Sequence, residues 1–498
     1  MSLNSFGRKI KSGPLGVLFF GLIVVCVGVL AFTGIGSYIS GNKQDASAPA
    51  SSTDVVATID GTPISEDQFN NVLTQEKERY AQGGAPLSIA QTPELRAAAF
   101  AQAISPILLA QLAKENGLAV SDDEVAAERT KQLIPVKREL GLPSSATESD
   151  ISSALENYGH TIDQIVNNDD IKTSLLAQKY LDHVTQADQA NNTTVANYYK
   201  QVETRHILIS NKTRPDAQAQ ALAEDLIARI KSGDSFVKLA KEYSDDPGTK
   251  KTGGEDGFIG QATGYVPEFK NAALALSAGE VTPTPVLSPQ FGYFIIQAEA
   301  IRPGLPADFT KNHAQYVAQV TSQLTNQDEQ AQIAAEKAKA TIKIGDPRLQ
   351  ADIALSDPSQ GVSLQSALAD YNQALKSASD SDKAEIYASE AQIYQQTGQP
   401  KLAIASLVSA LGDVEDSTLR LELGDLYKST GQPAEALKQF QIASQNSYDD
   451  PQIHYQLIQE YNSLKLPKLA AKESAMLSQI SARQRQGNLS VQSSPAPQ

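Results

Sequence analysis

The sequence predicts a multidomain chain: an N-terminal transmembrane helix, an all-α module, an α+β domain with an antiparallel sheet, and C-terminal α-helical repeats. Three observations predict it. No charge occurs in the 31 residues from Ser12 to Asn42. A change of composition near residue 202 opens a segment in which short strands alternate with helices. A pattern recurring at 33 and 34 residues fills the last third. At 498 residues the chain is also too long for one ordinary hydrophobic core, and roughly two to four domains are expected.

The first element is the apolar run LGVLFFGLIVVCVGVLAFTGI, Leu15 to Ile35. As a helix it spans about 31 Å, enough for a bilayer's hydrocarbon core. Arg8, Lys9 and Lys11 precede it and the first acid is Asp45. That asymmetry assigns residues 1–11 to the cytoplasm, 12–41 to a signal anchor, and the bulk of the chain to the extracytoplasmic or periplasmic side of a single-pass cell-membrane protein. A cleaved signal peptide is the alternative; the apolar stretch exceeds a usual signal core, which favours the uncleaved anchor. Residues 42–53 read as a polar linker.

The module over 54–200 begins with a short strand candidate, Val55–Ile59, and the turn signal Asp60-Gly61. Ser65 followed by Gln68 is a capping box opening a polar helix to about Tyr80. Ala98, Ala101, Ile104, Leu108 and Leu112 recur at helical spacing over 94–116, with Gly117 as the stop. Ser121 with Glu124 opens another helix, and further helices fill 147–156, 160–167 and 168–188.

From 202 to 301 the expected order is β-α-α-β-α-β-β. A strand at Arg205–Ile209 leads to helices over 215–231 and 236–243 and the loop SDDPGTKKTGGEDG. A helix over 267–277 and strands near 284–288 and 292–301 complete the unit, helices packing on an antiparallel sheet. Residues 305–350 are helical. In the last third Tyr394, Tyr427 and Tyr461 keep phase with Pro400, Pro433 and Pro467 and with Ala403, Ala436 and Ala470. This is the period of a helix-turn-helix repeat, assigned to 361–480. A helix from Ala367 reads as the second half of an earlier copy, and the polar tail 487–498 as disordered.

Composition narrows the chemistry. Lys and Arg total 42 against 57 Asp and Glu, a net charge of −15 that disfavours nucleic acid. The single cysteine, Cys26, excludes an internal disulfide and a Cys-x-x-Cys motif, and the five histidines form no compact metal motif. Phosphate loops and a Gly-x-Ser-x-Gly elbow are absent. Neither a cofactor nor a metal is expected.

Over 202–301, RHILI (205–209), GDSFVKLAKEYSDDPGTKKTGG (233–254), VPEFKNAALALSAGEV (266–281) and FGYFII (291–296) occur in an order that resembles the parvulin-type peptidyl-prolyl isomerases. VVATIDGTPISEDQF (55–69) and AKENGLAVSDDEV (113–125) resemble the N-terminal chaperone module of SurA/PrsA/PpiD-like foldases. KAKATIKIGDPRL (337–349) resembles the return of the chain to that module after the isomerase insert, and the last third resembles tetratricopeptide repeats.

The resemblance implies a membrane-anchored foldase that binds unfolded or newly exported proline-containing chains and isomerises Xaa-Pro bonds without a cofactor. A peptide or protein partner would lie in the repeat groove. It implies His206 and Asp246 as catalytic residues, the Asp246 carboxylate bonding toward His206, although Asp246-Pro247-Gly248 is also a good turn. It implies a substrate pocket of Tyr265, Phe269, Phe291, Phe294 and Asp256, with Phe269 against the substrate proline. Three positions depart from the pattern: Phe294 replaces the family's second histidine, Tyr265 its pocket methionine, and Asp256 its pocket leucine. Asp256 either charges the pocket or turns outward. The competing reading is a non-catalytic chaperone or scaffold that keeps the fold and recruits partners through the repeats.

Overall fold

The computed structural model describes residues 55–82, 87–261, 263–302, 304–357, 362–412, 414–447 and 450–492. The predicted cytoplasmic N-terminus, signal anchor and linker lie outside the described residues. The described residues divide into two compact units, those up to Tyr180 with those from Gln332 onward, and Leu181–Ala331.

The first unit opens with a hairpin, β1 (Val55–Ile59) and β2 (Thr62–Ser65), turned at Asp60 and Gly61, both of positive φ. The sheet is a correction to the all-α expectation for this module. Helix α1 (Glu66–Gln82) starts on the expected box: Ser65 N donates to Gln68 Oε1 at 2.9 Å and Gln68 N to Ser65 Oγ at 3.2 Å. It packs on α2 (Thr92–Glu115), whose Ala99, Phe100, Ile104 and Leu108 are buried. With the short turn before it, α2 is long and apolar enough to cross a membrane, but it is largely buried, as a core helix is. Next come α3 (Asp122–Glu139), α4 (Glu148–Glu156), α5 (Ile162–Ile165) and α6 (Asn168–Ala187). Ser121, Thr147 and Thr161 cap the first three, each in a reciprocal box. Buried Arg129 of α3 ties them together, donating to Glu148, to Asp163 at 2.9 Å and to the Val166 carbonyl.

The second unit runs α7 (Asn192–Tyr198), β3 (Gln201–Ile209), α8 (Asp216–Lys231), α9 (Phe236–Tyr243), β4 (Glu255–Ile259), α10 (Pro267–Ala275), β5 (Val286–Ser288), β6 (Gly292–Arg302) and α11 (His313–Lys339), the last crossing its boundary. From β3 to β6 the order is the expected one. The four strands form an antiparallel sheet, β4-β3-β6-β5. Side chains alternate across a strand, so β3 and β6 each feed two cores. Ile207, Ile209, Tyr293 and Ile295 meet α8 and α9 on one face. Val202, Leu208, Phe294, Ile296 and Ala298 meet α10 on the other.

After α11 the chain re-enters the first unit as β7 (Ile342–Ile344), which pairs antiparallel with β1 and makes it the central strand. Helix α12 (Pro347–Ser356) packs both on α2 and on α13 (Leu364–Ala374). Three helix pairs follow: α14 (Asp380–Gln396) with α15 (Pro400–Ala410), α16 (Ser417–Ser429) with α17 (Pro433–Asn446), and α18 (Pro451–Ser463) with α19 (Pro467–Gln492). Pro400, Pro433 and Pro467 each take the first helical position, where the missing N–H costs nothing. Ala403, Ala436 and Ala470 are buried where the paired helices meet.

Two features were not expected. The helix from Ala367 pairs with α12, so one helix serves both the module and the start of the helical array; Ala351, Ala354, Leu355, Leu368, Tyr371 and Ile386 share a core. The turn before α2 also rests on the array, with Ile89 N donating to Asp416 Oδ2 at 2.9 Å and Gln392 Nε2 to the Ala90 carbonyl at 2.6 Å. Helix α19 runs to Gln492, past the expected tail boundary at 487; residues 493–498 lie outside the described residues.

Candidate active site

Alternation along β3 puts Thr204 and His206 on the face that carries Val202 and Leu208, toward α10. Both polar residues are buried. Burial of an imidazole demands partners for its nitrogens, and the neighbouring segments supply two carboxylates.

The first comes from β4. Its pairing with β3 steps from Thr204↔Gly257 to Arg205↔Glu255, leaving Asp256 as the extra residue of a bulge. A bulge re-aims the side chain it carries, and Gly257 at φ +78° supplies the left-handed backbone beside it. Asp256 is thereby turned inward, its side chain fully covered. His206 Nδ1 lies 2.8 Å from Asp256 Oδ1, Thr204 Oγ1 donates to Asp256 Oδ2 at 3.1 Å, and the Tyr265 hydroxyl donates to Asp256 Oδ1 at 3.3 Å.

The second carboxylate comes from the loop after α9. Asp246 Oδ2 is 3.4 Å from His206 Nε2. Its principal bonds are to its own turn: Gly248 N at 3.1 Å, Thr249 N at 3.1 Å and Thr249 Oγ1 at 2.5 Å. Partial burial raises its pKa, but the donors from Thr249 and Gly248 and the nearby His206 outweigh this and hold the carboxyl below its usual range. The loop is fastened to β3 around the histidine. Asp245 N donates to the Leu208 carbonyl at 2.7 Å, Leu208 N to Ser244 Oγ at 3.2 Å, and His206 N to the Gly254 carbonyl at 2.7 Å.

Aromatic rings complete the site. Phe269, in the first turn of α10, lies edge-on to His206 at 5.5 Å and to Phe294 at 5.2 Å. Phe294 is also edge-on to His206 at 5.5 Å. Tyr265 stacks on Phe269, centroids 4.9 Å apart and planes 21° off parallel. Burial, then the charge and hydrogen bond of Asp256, push the Tyr265 hydroxyl up to about 12. Phe291 stands at the rim, 38% exposed and 6.1 Å from Phe294.

The seven residues singled out in the sequence are brought together, with two changes of position. The close partner of His206 is Asp256, whereas Asp246 is mainly a turn cap at the longer distance. Of the two orientations open to Asp256, the structure has the inward one, in the pocket. Phe269 is only 1% exposed beneath Tyr265, so it is a buried floor rather than an open face. Thr204 was missed; its place two residues before His206 on one strand face was the available signal. Among the described residues no group of three or more His, Cys, Asp or Glu is arranged to hold a metal ion.

Residues 189–301 match the PPIC-type PPIase domain and residues 3–132 the SurA-like N-terminal domain. The foldase protein PrsA of Caldanaerobacter subterraneus is 27% identical over 288 residues, covering 55% of this chain and 80% of the relative. Foldase protein PrsA 1 of Lactobacillus johnsonii is 36% identical over 30% of this chain and 47% of its own length. Chaperone SurA of Chromohalobacter salexigens is 50% identical over 96 residues, 19% of this chain and 21% of its own. The chain thus spans less than two thirds of the last two. A histidine flanked by carboxylates and aromatic rings on a four-stranded antiparallel sheet, together with these matches, identifies the chain as carrying a PPIC-type parvulin peptidyl-prolyl isomerase domain and a SurA-like N-terminal domain.

Proposed function

We propose that this chain is an extracytoplasmic folding factor that binds non-native polypeptides and catalyses cis/trans isomerisation of Xaa-Pro bonds. The observation that carries the reading is the buried His206, set between two carboxylates and against Phe269 and Phe294 within the matched isomerase domain. Rotation about the prolyl C–N bond costs about 18–20 kcal/mol because it breaks amide resonance. The twisted imide has a more basic nitrogen and a ketone-like carbonyl. A site that meets these groups with fixed dipoles and an apolar wall favours the twisted form over the planar one. In this reading His206 and Asp246 supply the polar contacts, while Tyr265, Phe269, Phe291, Phe294 and Asp256 shape the pocket. No bond is made or broken, so no cofactor is called for.

Isomerisation of a panel of Xaa-Pro peptides by the full-length protein, followed by exchange NMR, tests the reading. Acceleration is expected, with a loss of at least about tenfold on His206→Ala. Rates equal to the uncatalysed reaction for every preceding residue would end the enzyme reading. A second reading, a chaperone or scaffold without catalysis, draws on Phe294 in place of an imidazole and on the 1% exposure of Phe269. It predicts suppressed client aggregation with no acceleration at proline.

In the same proposal residues 12–41 anchor the chain in the cell membrane, supported by the uncharged run and the basic flank before it. Residues 361–480 act as tetratricopeptide-like repeats, supported by helix pairs opening at Pro400, Pro433 and Pro467. A partner peptide would share their surface with the chain's own Ile89 and Ala90, which pack against α14–α16 residues.

A further inference from the structure

Asp256 stands at a position that the sequence pattern fills with an apolar side chain, yet it is the best-connected group of the site. Its carboxylate is fully covered and meets three donors, His206 Nδ1, Thr204 Oγ1 and the Tyr265 hydroxyl. The donors come from two elements: Tyr265 precedes α10, and Thr204 and His206 lie two residues apart on β3. A desolvated carboxylate is tolerated only when donors replace its water, and three donors on two oxygens do so. The bulge in β4 exists at the one residue that needs this aim. Asp246 has no such freedom, because Gly248 and Thr249 already occupy its oxygens.

We propose that Asp256 is the positioning residue of the site: it accepts the Nδ1 proton of His206, fixes the ring's orientation, and leaves Nε2 as the acceptor nitrogen, with Tyr265 bracing the carboxylate from its other side. A neutral imidazole carries one N–H. At 2.8 Å Asp256 takes it, whereas Nε2 at 3.4 Å from Asp246 stays free to accept. The groups facing the ring are Asp246 from the loop after α9, Asp256 from β4, Phe269 from α10 and Phe294 from β6. Phe294, the residue in the place of a second imidazole, offers no hydrogen bond, so the pair Asp256 and Tyr265 takes over the orientation of His206. The three departures from the family pattern then form one compensated set. The kinetic consequence rests on the isomerase reading above; the tautomer does not.

The test uses the full-length protein labelled with ¹⁵N-histidine, the His206 signals being assigned by their loss in His206→Ala. The wild type is expected to show the proton on Nδ1. In Asp256→Leu that tautomer should give way to Nε2–H, and kcat/KM should fall about tenfold, carried by kcat with KM little changed. Asp256→Asn keeps an oxygen within reach of Nδ1 and should restore most of both. A folded Asp256→Leu protein with tautomer and rate unchanged overturns the proposal. If circular dichroism shows that variant unfolded, Tyr265→Phe decides: it keeps the ring stack, and a drop in kcat/KM of about twofold to threefold is expected, an unchanged rate overturning the proposal. A wild type with the Nδ1–H tautomer but no isomerase activity sinks the isomerase reading and leaves the positioning of His206 standing.

Discussion

Two carboxylates face one imidazole, and each is held by a different device. Asp246 belongs to a turn and would keep its shape without His206, whereas Asp256 is buried only because His206, Thr204 and Tyr265 receive it. The lowered pKa of Asp246 has a definite sign. Its stabilising contribution is complete above the unfolded carboxylate value and is lost as pH falls through the lower folded one. Backbone matters as much here. At Gly254, φ is +84° and a Cβ would lie 2.2 Å from the His206 carbonyl oxygen. Gly254→Ala is therefore expected to destabilise the domain by at least about 2 kcal/mol, read by chemical denaturation, and to lower isomerase activity with it. A loss below about 0.5 kcal/mol would show that the loop can move off β3.

At the scale of elements, capping boxes and helical spacing made the helices legible in advance, since each depends on residues within four positions of one another. Long-range pairings were not legible. The partner of β1 is β7, and nothing local to either strand names the other. The inward turn of Asp256 likewise depends on a register step between strands. The ion network around α12 is a further case. Arg96 of α2 meets Asp352 at 2.6 Å and Asp346 at 3.0 Å, while Tyr371 of α13 donates to Asp352 and Arg348 reaches Asp382 and Glu385 of α14. Removing one partner of a buried pair strands the other. Arg96→Met is thus expected to cost about 3 kcal/mol in thermal unfolding, and adding Asp352→Leu to recover much of it. Equal losses in the single and double variants would mean that α12 is held by its apolar contacts alone.

On the scale of the whole molecule, each unit stores a buried acid with a displaced titration. Glu329 in the second unit and Glu390 in the first are both buried, and burial raises each to about 7. In both cases the folded protein binds the proton more tightly than the unfolded chain does. Their contribution is therefore fully present below the unfolded glutamate range and is lost as pH rises toward and past 7. Stability measured between about pH 5 and 8 should fall with this component. Glu329→Gln and Glu390→Gln together should flatten the slope, and an unaltered slope would locate the pH dependence elsewhere.

The return of β7 to β1 also sets an order of events for a growing chain. Thr341 N donates to Asp60 Oδ1 across 281 residues. The isomerase-bearing unit, by contrast, is one uninterrupted stretch from 181 to 331. Contiguous segments close with less entropy cost than distant ones. During synthesis the unit from 181 to 331 is therefore able to finish folding while β1 still waits for a partner not yet emerged. A strand that emerges well before the second unit is thus among the last to be completed, and a nascent chain halted before residue 342 should present an unfilled strand edge.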